Sequence, residues 1–421
     1  MLTVRPGFGT HRLRLSATPS DADELRLARA DRAGLDAAAD RVAERFCGFR
    51  LDRVDRTLAT TTPMVLDVSP KFLSDLGGIT ALDEALRGVD AGGTLARILP
   101  GSNVAVADLV RPCPDPGGPG RLRALPTAEA VVAGTTLILN DIGGRARAAL
   151  GELVDDTSRV TGTEARVNAY VSERGETGFG WHWDDHDVII VQLTGSKLWR
   201  IFEPHELAPL RGWTSNTTRG RETASVLVRP GMGLLVPRGW GHQVRGFEGE
   251  LSSHLTMSVT RPRARSLIEV AAVDSLDAGR AAEVVSVDRP ATAPLRLDDA
   301  MLEHFRGVLR ARMVSQTADD PIEVAAARSA SADVLVRGCF TGGAVFADHP
   351  ERRRDQVVLA AAGHLIRLPR ALVGAMSALL EGQPQTVDAL AARSPESTVE
   401  QVKALVSALA TVDLVRVGTA P

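Results

Sequence analysis

Cysteine is scarce in this chain. Cys47, Cys113 and Cys339 lie far apart and no two form a CxxC pair. The spacing argues against a disulfide framework and against a cysteine-ligated zinc, and a reducing cytoplasm is the expected compartment. Long apolar runs are missing as well. None approaches the roughly 18 consecutive apolar residues of a membrane span. The opening stretch, MLTVRPGFGTHRLRLSATPS, has no apolar h-region, so no secretion signal is expected there. Neither sign of charge dominates. A net charge of −3 gives no global pull toward nucleic acid or a membrane surface. Tyrosine is nearly absent: Tyr170 stands alone beside ten Phe and five Trp.

What is there fits a folded chain of two or three domains: 421 residues, 44% hydrophobic and 24% charged. Residues 20–46 read as a charged, alanine-rich helix, and 80–98 as a short helix with a Gly-Gly break. PCPDPGGPG at 112–120 is a loop by composition. From about 129 the texture turns to short β-branched and aromatic runs bounded by Gly, Pro and Asn. VVAGTTLILN, ARVNAYVSE, HDVIIVQL, KLWRIFEP, SVLVRPGMGLLVPRG and SHLTMSVTRP all suggest strands, and Thr194, Gly195 and Ser196 suggest a hairpin turn. Many short strands at close spacing imply a sandwich or barrel. After about 264 the texture reads as helical. Met301, Leu302, Phe305, Val308, Leu309 and Met313 recur at helix spacing over 297–316. PRALVGAMSALLEG, TVDALAARS, SPESTVEQVKALVSALA and LVRVG then give helix, helix, turn, helix and strand, a winged-helix pattern.

The chemistry centres on GFGWHWDDHDVIIVQLTGSKLWRIFEP, residues 178–204. His182 and Asp184 are two apart at the expected head of a strand, where i and i+2 share a face. His242, in GLLVPRGWGHQV, follows another strand. Two histidines and one carboxylate form the facial triad of non-haem Fe(II), which leaves positions open for oxygen; Mn(II) and Zn(II) suit the same donors. His186 makes an HxxxH with His182, but that zinc spacing needs a helix, and Val188 to Val191 reads as strand.

In wording and order, GFG-W-HWDDHDV, TGSKLW, VPRGWGHQV and SSHLTMS resemble the JmjC-type ribosomal oxygenases and their bacterial cupin-like relatives. The resemblance is strong over about 130–262. It implies an α+β multidomain chain in three parts. A double-stranded β-helix (jelly-roll, cupin/JmjC) catalytic domain would occupy 1–264, with its core at about 130–262. A helical dimerisation region would follow at 265–364, and a winged helix at 365–421. It implies His182, Asp184 and His242 as metal ligands, with no catalytic residue beyond the metal site. Lys197 falls where the family has the cation that pairs with the distal carboxylate of 2-oxoglutarate, and Tyr170 where a tyrosine can help hold it. Asn168, two residues before Tyr170, is a further pocket candidate; Trp183 and His254 are candidates for the substrate pocket.

The implied activity is Fe(II)-, 2-oxoglutarate- and O2-dependent hydroxylation of an amino-acid side chain in a protein or peptide, with ribosomal proteins the family's usual substrates. The same chemistry on a small molecule or biosynthetic peptide is the alternative. From another class, a non-catalytic cupin-like DNA-binding regulator is the rival. The segment from Leu365 to Pro421 carries five basic and five acidic residues, so DNA binding by the winged helix is not expected. A homodimer is expected through the apolar face of 297–316, a segment that family members use in this way.

Overall fold

The computed structural model describes residues 2–6, 14–51, 62–78, 82, 96–99, 110–111, 121–143, 148–173, 179–204, 219–247, 249–260, 299–315, 334–349 and 352–419. The Gly-Gly break and the 112–120 loop lie outside them, as does most of the helix expected at 80–98, whose end is instead a strand. The first elements are β1 (Thr3–Pro6), β2 (Arg14–Ser16), α1 (Ala22–Arg45), β3 (Met64–Asp67), α2 (Pro70–Leu76), β4 (Ala96–Leu99), β5 (Val110–Arg111) and β6 (Arg121–Leu122). Then come α3 (Ala124–Val132), β7 (Thr136–Leu139), α4 (Ala148–Thr161), β8 (Ala165–Ser172), β9 (Asp187–Thr194) and β10 (Lys197–Phe202). The strands β11 (Glu222–Val228), β12 (Met232–Val236), β13 (Gly241–Arg245) and β14 (Ser252–Val259) follow. The remainder is α5 (Asp299–Ala311), β15 (Val334–Gly338), β16 (Val345–Asp348), β17 (Gln356–Ala361), β18 (His364–Pro369), α6 (Val373–Leu380), β19 (Gln385–Thr386), α7 (Val387–Ala392), α8 (Val399–Ala410) and β20 (Val415–Thr419). They fall into two compact units, one drawn from 1–38, 262–315 and 319–421, the other from 39–261, with the division inside α1.

The unit within 39–261 contains a seven-stranded sheet, β3-β12-β9-β14-β8-β7-β4, and a three-stranded sheet, β11-β10-β13. Strand β9 shows why its sequence is a nearly unbroken apolar run. Ile189, Val191 and Leu193 join a cluster with Phe72, Leu76, Leu150 and Val154 of the helices α2 and α4. Val188 and Ile190, on the opposite face, join Trp199, Ile201 and Val244 of the smaller sheet. A strand covered on both faces has no solvent side on which to alternate polar residues. Strand β8 does alternate. Ala165, Val167, Ala169 and Val171 face the helical cluster, so Asn168 and Tyr170 face the other way, toward the interior between the sheets.

The turn at Gly195 is tight, but it is not a hairpin. β9 pairs with β12 and β14, whereas β10 pairs with β11 and β13. The chain crosses from one sheet to the other there. Gly195 has φ +60°, and a Cβ would lie 2.5 Å from the Leu251 carbonyl oxygen, so glycine alone fits. Strands β11 and β12 likewise part into different sheets. This alternation is that of the jelly-roll implied by the family resemblance, and it fits the sandwich or barrel read from the many short strands.

The other unit departs from the helical texture read after 264. Among its described residues α5 is followed by strands, and β16, β17 and β18 lie in a five-stranded sheet, β1-β18-β17-β16-β2. The missed signal is a two-residue hairpin. Ala361 pairs with His364 across Ala362 and Gly363, whose φ values are 46° and 75°. That turn usually announces itself with Asn-Gly or Asp-Gly, and here an alanine holds the first position. The sheet is covered on both faces. Val357, Leu359, Ile366 and Leu368 pack with α6 and α8, while Val358, Ala360 and Leu365 pack with Leu15, Val308 and Ala311. Phe305 and Val308 of α5 are thus buried within their own chain, and Leu302 and Leu309 are half-buried. Helices α6, α7 and α8 accompany a small sheet, β19-β15-β20. Thr398 and Gln401 form a capping box at the start of α8.

Candidate metal centre

His182 and Asp184 precede β9 instead of heading it. What aligns them is a backbone bridge to β13. The His182 N–H donates to the His242 carbonyl at 3.0 Å, and the His242 N–H returns the bond at 2.7 Å. Residues paired in this way across two antiparallel segments project their side chains to the same side. The imidazole centroids are accordingly 4.2 Å apart. A second tie holds the carboxylate: the Gly239 N–H donates to the Asp184 carbonyl at 2.9 Å. A third runs from the Arg238 N–H to Asp187 Oδ1, also 2.9 Å. Next to His242, Gly241 lets Trp181 approach: a Cβ there would lie 2.8 Å from Trp181 Nε1.

The donor atoms of His182, Asp184 and His242 lie within 4.8 Å of one another, so a single ion can touch all three. Asp184 Oδ2 is 3.7 Å from His242 Nε2. His182 Nδ1 sits 3.1 Å from the Gly180 carbonyl, and His242 Nδ1 is 3.3 Å from the Trp240 carbonyl. A carbonyl can only accept, so each Nδ1 carries a proton, which leaves Nε2 as the ring nitrogen available to a metal. Burial pushes the His242 imidazole down to about 4, with His182 adding to the shift and Asp184 opposing it. The ring is therefore neutral at pH 7, the form that binds metal.

Lys197 opens β10 on the same face as Trp199 and Ile201, pointing between the sheets. It is 0% exposed, and its Nζ has no hydrogen-bond partner among the described residues. Burial alone pulls its ammonium down to about 7. An orphaned buried cation is costly unless an anion completes it. The site thus fits both a metal, on the three donors, and an anionic ligand, at Lys197.

Tyr170 and His254 are cross-strand partners on β8 and β14, their rings stacked at 4.9 Å and 6°. His254 is buried, and its Nδ1 has no partner among the described residues. Asn168 shares the face of Tyr170, but its amide oxygen already accepts the Asp141 N–H at 2.9 Å, fixing a residue at φ 51°. Trp183 is buried. His186 is not part of the triad; its Nδ1 lies 3.0 Å from Asp185. Two residues escaped the sequence reading. Trp199 stacks on His242 at 5.7 Å and meets His254 edge-on at 5.6 Å, so it touches both rings. Gln192, fully buried, pairs with His254 across the sheet. The available signal was parity: Trp199 is two from Lys197, and Gln192 is the polar break in DVIIVQLT.

Residues 147–267 match the JmjC domain family. Over 102 residues it is 33% identical to Ribosomal oxygenase 1 of Rattus norvegicus, covering 23% of this chain and 17% of that protein. Over 94 residues it is 34% identical to the bifunctional lysine-specific demethylase and histidyl-hydroxylase NO66 of Drosophila persimilis, covering 22% and 14%. The chain therefore matches less than a fifth of the length of either relative. Among solved structures, ycfD of E. coli superposes with a TM-score of 0.50 at 17% identity, covering 87% of this chain and 97% of that one. The matched residues 147–267 thus sit in a JmjC/cupin-type fold of mixed helices and sheets.

Proposed function

We propose that this chain is an Fe(II)- and 2-oxoglutarate-dependent oxygenase that hydroxylates an amino-acid side chain of a protein or peptide. The observation that carries the reading is the unpartnered Lys197 ammonium, enclosed in the same β-barrel as the His182, Asp184 and His242 donors. When bound, the iron and 2-oxoglutarate supply O2 activation coupled to decarboxylation, yielding succinate, CO2 and a hydroxylated carbon. The chain's own residues do the positioning. His182, Asp184 and His242 would hold the metal, a three-donor set that suits Fe(II) and its oxygen chemistry. Lys197 supplies charge for the distal carboxylate, and the apolar wall of Val188, Ile190 and Ile201 keeps bulk water away from it. The names of the relatives, a ribosomal oxygenase and a histidyl-hydroxylase, support a protein substrate.

The finer assignments belong to the same proposal. Tyr170 and Asn168 stand on the inward face of β8, where they would border the cosubstrate, and Trp183 would border the substrate. The segment 365–421 is read as a winged helix, supported by the order α6, α7, α8, β20. A homodimer is implied by the resemblance and a cytoplasmic location by the scattered cysteines; light scattering at micromolar concentration tests the dimer, and a monomeric mass would remove it. Its interface must draw on more than the apolar face of α5, which is largely spent inside the chain.

The experiment that tests the activity is incubation with Fe(II), 2-oxoglutarate and a cell extract of the source. Succinate release together with peptides heavier by one oxygen is the expected result. An oxygenated metabolite would move the reading to a small-molecule substrate, and no 2-oxoglutarate turnover under any loading would overturn it.

A further inference from the structure

Lys197 is not the only orphan at its end of the barrel. His254 Nδ1 and Gln192 Oε1 are also buried and without partners among the described residues. Buried polar atoms are nearly always paired, so a group of unpaired ones needs a ligand or water to complete it. Side-chain parity brings all three into the same interior. Lys197 lies on the face of β10 that carries Trp199, Gln192 on the face of β9 that carries Val188 and Ile190, and His254 opposite Gln192 and Tyr170. Gln192 is already committed through its nitrogen, which donates to the Thr194 carbonyl and Ser252 Oγ, both at 2.8 Å. Its remaining oxygen is an acceptor and cannot serve an anion. Among the described residues of these strand faces, Lys197 Nζ, His254 Nδ1 and Trp199 Nε1 are buried nitrogens without an acceptor; His254 pairs with Gln192 across the sheet, and the charge of Lys197 acts on its ring.

The His254 ring is held as a positioned donor should be. Tyr170 stacks on one face at 4.9 Å, and Trp199 meets it edge-on at 5.6 Å. Trp199 in turn stacks on His242, so one indole touches both a triad histidine and His254. A ligand with one end on the metal and an anionic other end would lie along that indole. Burial, reinforced by the charge of Lys197, drives the His254 imidazole well below its usual range. The ring is thus neutral and adds a hydrogen bond without a second positive charge beside Lys197.

We propose that His254 is a cosubstrate-binding residue: with Lys197 it forms a two-point receptor for the distal carboxylate of 2-oxoglutarate, Lys197 giving charge and His254 a neutral Nδ1–H. Tyr170 is the positioning residue that fixes the plane of the ring. The proposal rests on the oxygenase reading above and extends it to a residue outside the triad and Lys197.

The test is calorimetry on the Mn(II)-loaded full-length protein with two ligands. One is 2-oxoglutarate; the other is 2-oxopentanoate, which keeps the keto-acid head and chain length but ends in a methyl group. His254→Phe preserves a flat ring and removes the N–H. It is expected to weaken 2-oxoglutarate about 10- to 100-fold, the scale of a hydrogen bond to a charged group. Its affinities for Mn(II) and for 2-oxopentanoate should not change. His254→Asn, whose amide nitrogen falls near the position of Nδ1, should recover most of the loss. Equal weakening of both ligands would make His254 a wall of the pocket and overturn the proposal, as would unchanged 2-oxoglutarate affinity in the Phe variant. If the parent protein fails to bind 2-oxoglutarate at all, the oxygenase reading itself fails, a different result from either.

Discussion

A lysine with no exposed surface and no partner among the described residues costs the fold free energy at every pH where it is charged. Lys197 falls to about 7 from an ordinary 10.5 because burial penalises its ammonium. The unfolded chain therefore binds more protons than the folded one between those two values, and this residue's contribution makes the fold more stable as pH rises across them. Below pH 7 the penalty is fully present and on the order of 4 kcal/mol. Lys197→Met should remove it. The apo variant is expected to be more stable by a few kcal/mol at pH 6.5, with the gain shrinking toward pH 10, while affinity for 2-oxoglutarate drops by roughly two to three decades. Denaturant titrations at several pH values and a binding curve check this; a pH-independent change in stability would place the lysine in solvent instead. Asp184→Ala acts on the other end of the site. It leaves two imidazoles and no carboxylate, so metal retention and 2-oxoglutarate turnover should both be lost while the far-UV circular dichroism stays unchanged. Turnover near the parent rate would remove Asp184 from the triad.

Elements were legible where their signals are local. The 20–46 helix, the strands β8, β9 and β14, and the capped helix α8 all follow from periodicity and end signals within a few residues. What stayed hidden was which strands pair. Gly195 and Ser196 look like a hairpin because nothing local records that β10 leaves for the other sheet. The Ala362-Gly363 hairpin was lost for the opposite reason, an atypical residue in a typical turn. The site divides along the same line. His182, Asp184 and His242 could be read from residue type and wording, whereas Trp199 and Gln192 needed the strand register to show which way they face. The crossing at Gly195 makes a prediction of its own. Gly195→Ala puts a Cβ against the Leu251 carbonyl at φ +60°. It should cost about 2 kcal/mol or more in stability. It should also weaken 2-oxoglutarate binding, because the turn sets the start of β10 and hence Lys197. Thermal melts and calorimetry check both effects; an Ala variant as stable as the parent would show that the turn relaxes freely.

For the whole molecule, the open question is whether the proposed winged helix at 365–421 grips DNA, which would favour a regulator over an oxygenase. Affinity for duplex comes largely from cations placed on phosphates and the counterions they release. The segment from Leu365 to Pro421 has five basic residues, Arg367, Arg370, Arg393, Lys403 and Arg416, set against five acidic ones. Their surroundings leave little for a phosphate. Arg370 pairs with Asp21 at 2.6 Å and also with Asp23. Arg393 meets Glu381 at 2.7 Å, Lys403 of α8 meets Glu400 at 3.0 Å, and Arg416 lies 4.0 Å from Asp413. Arg367 contacts His349 Nε2 at 3.2 Å. To neutralise a phosphate, four of these five would first have to give up a carboxylate of the same chain. The expected outcome is therefore no measurable binding of random duplex at physiological salt by fluorescence anisotropy. Micromolar binding that weakens steeply as salt is raised would overturn this, and would give the regulator reading the cationic surface that these ion pairs deny it.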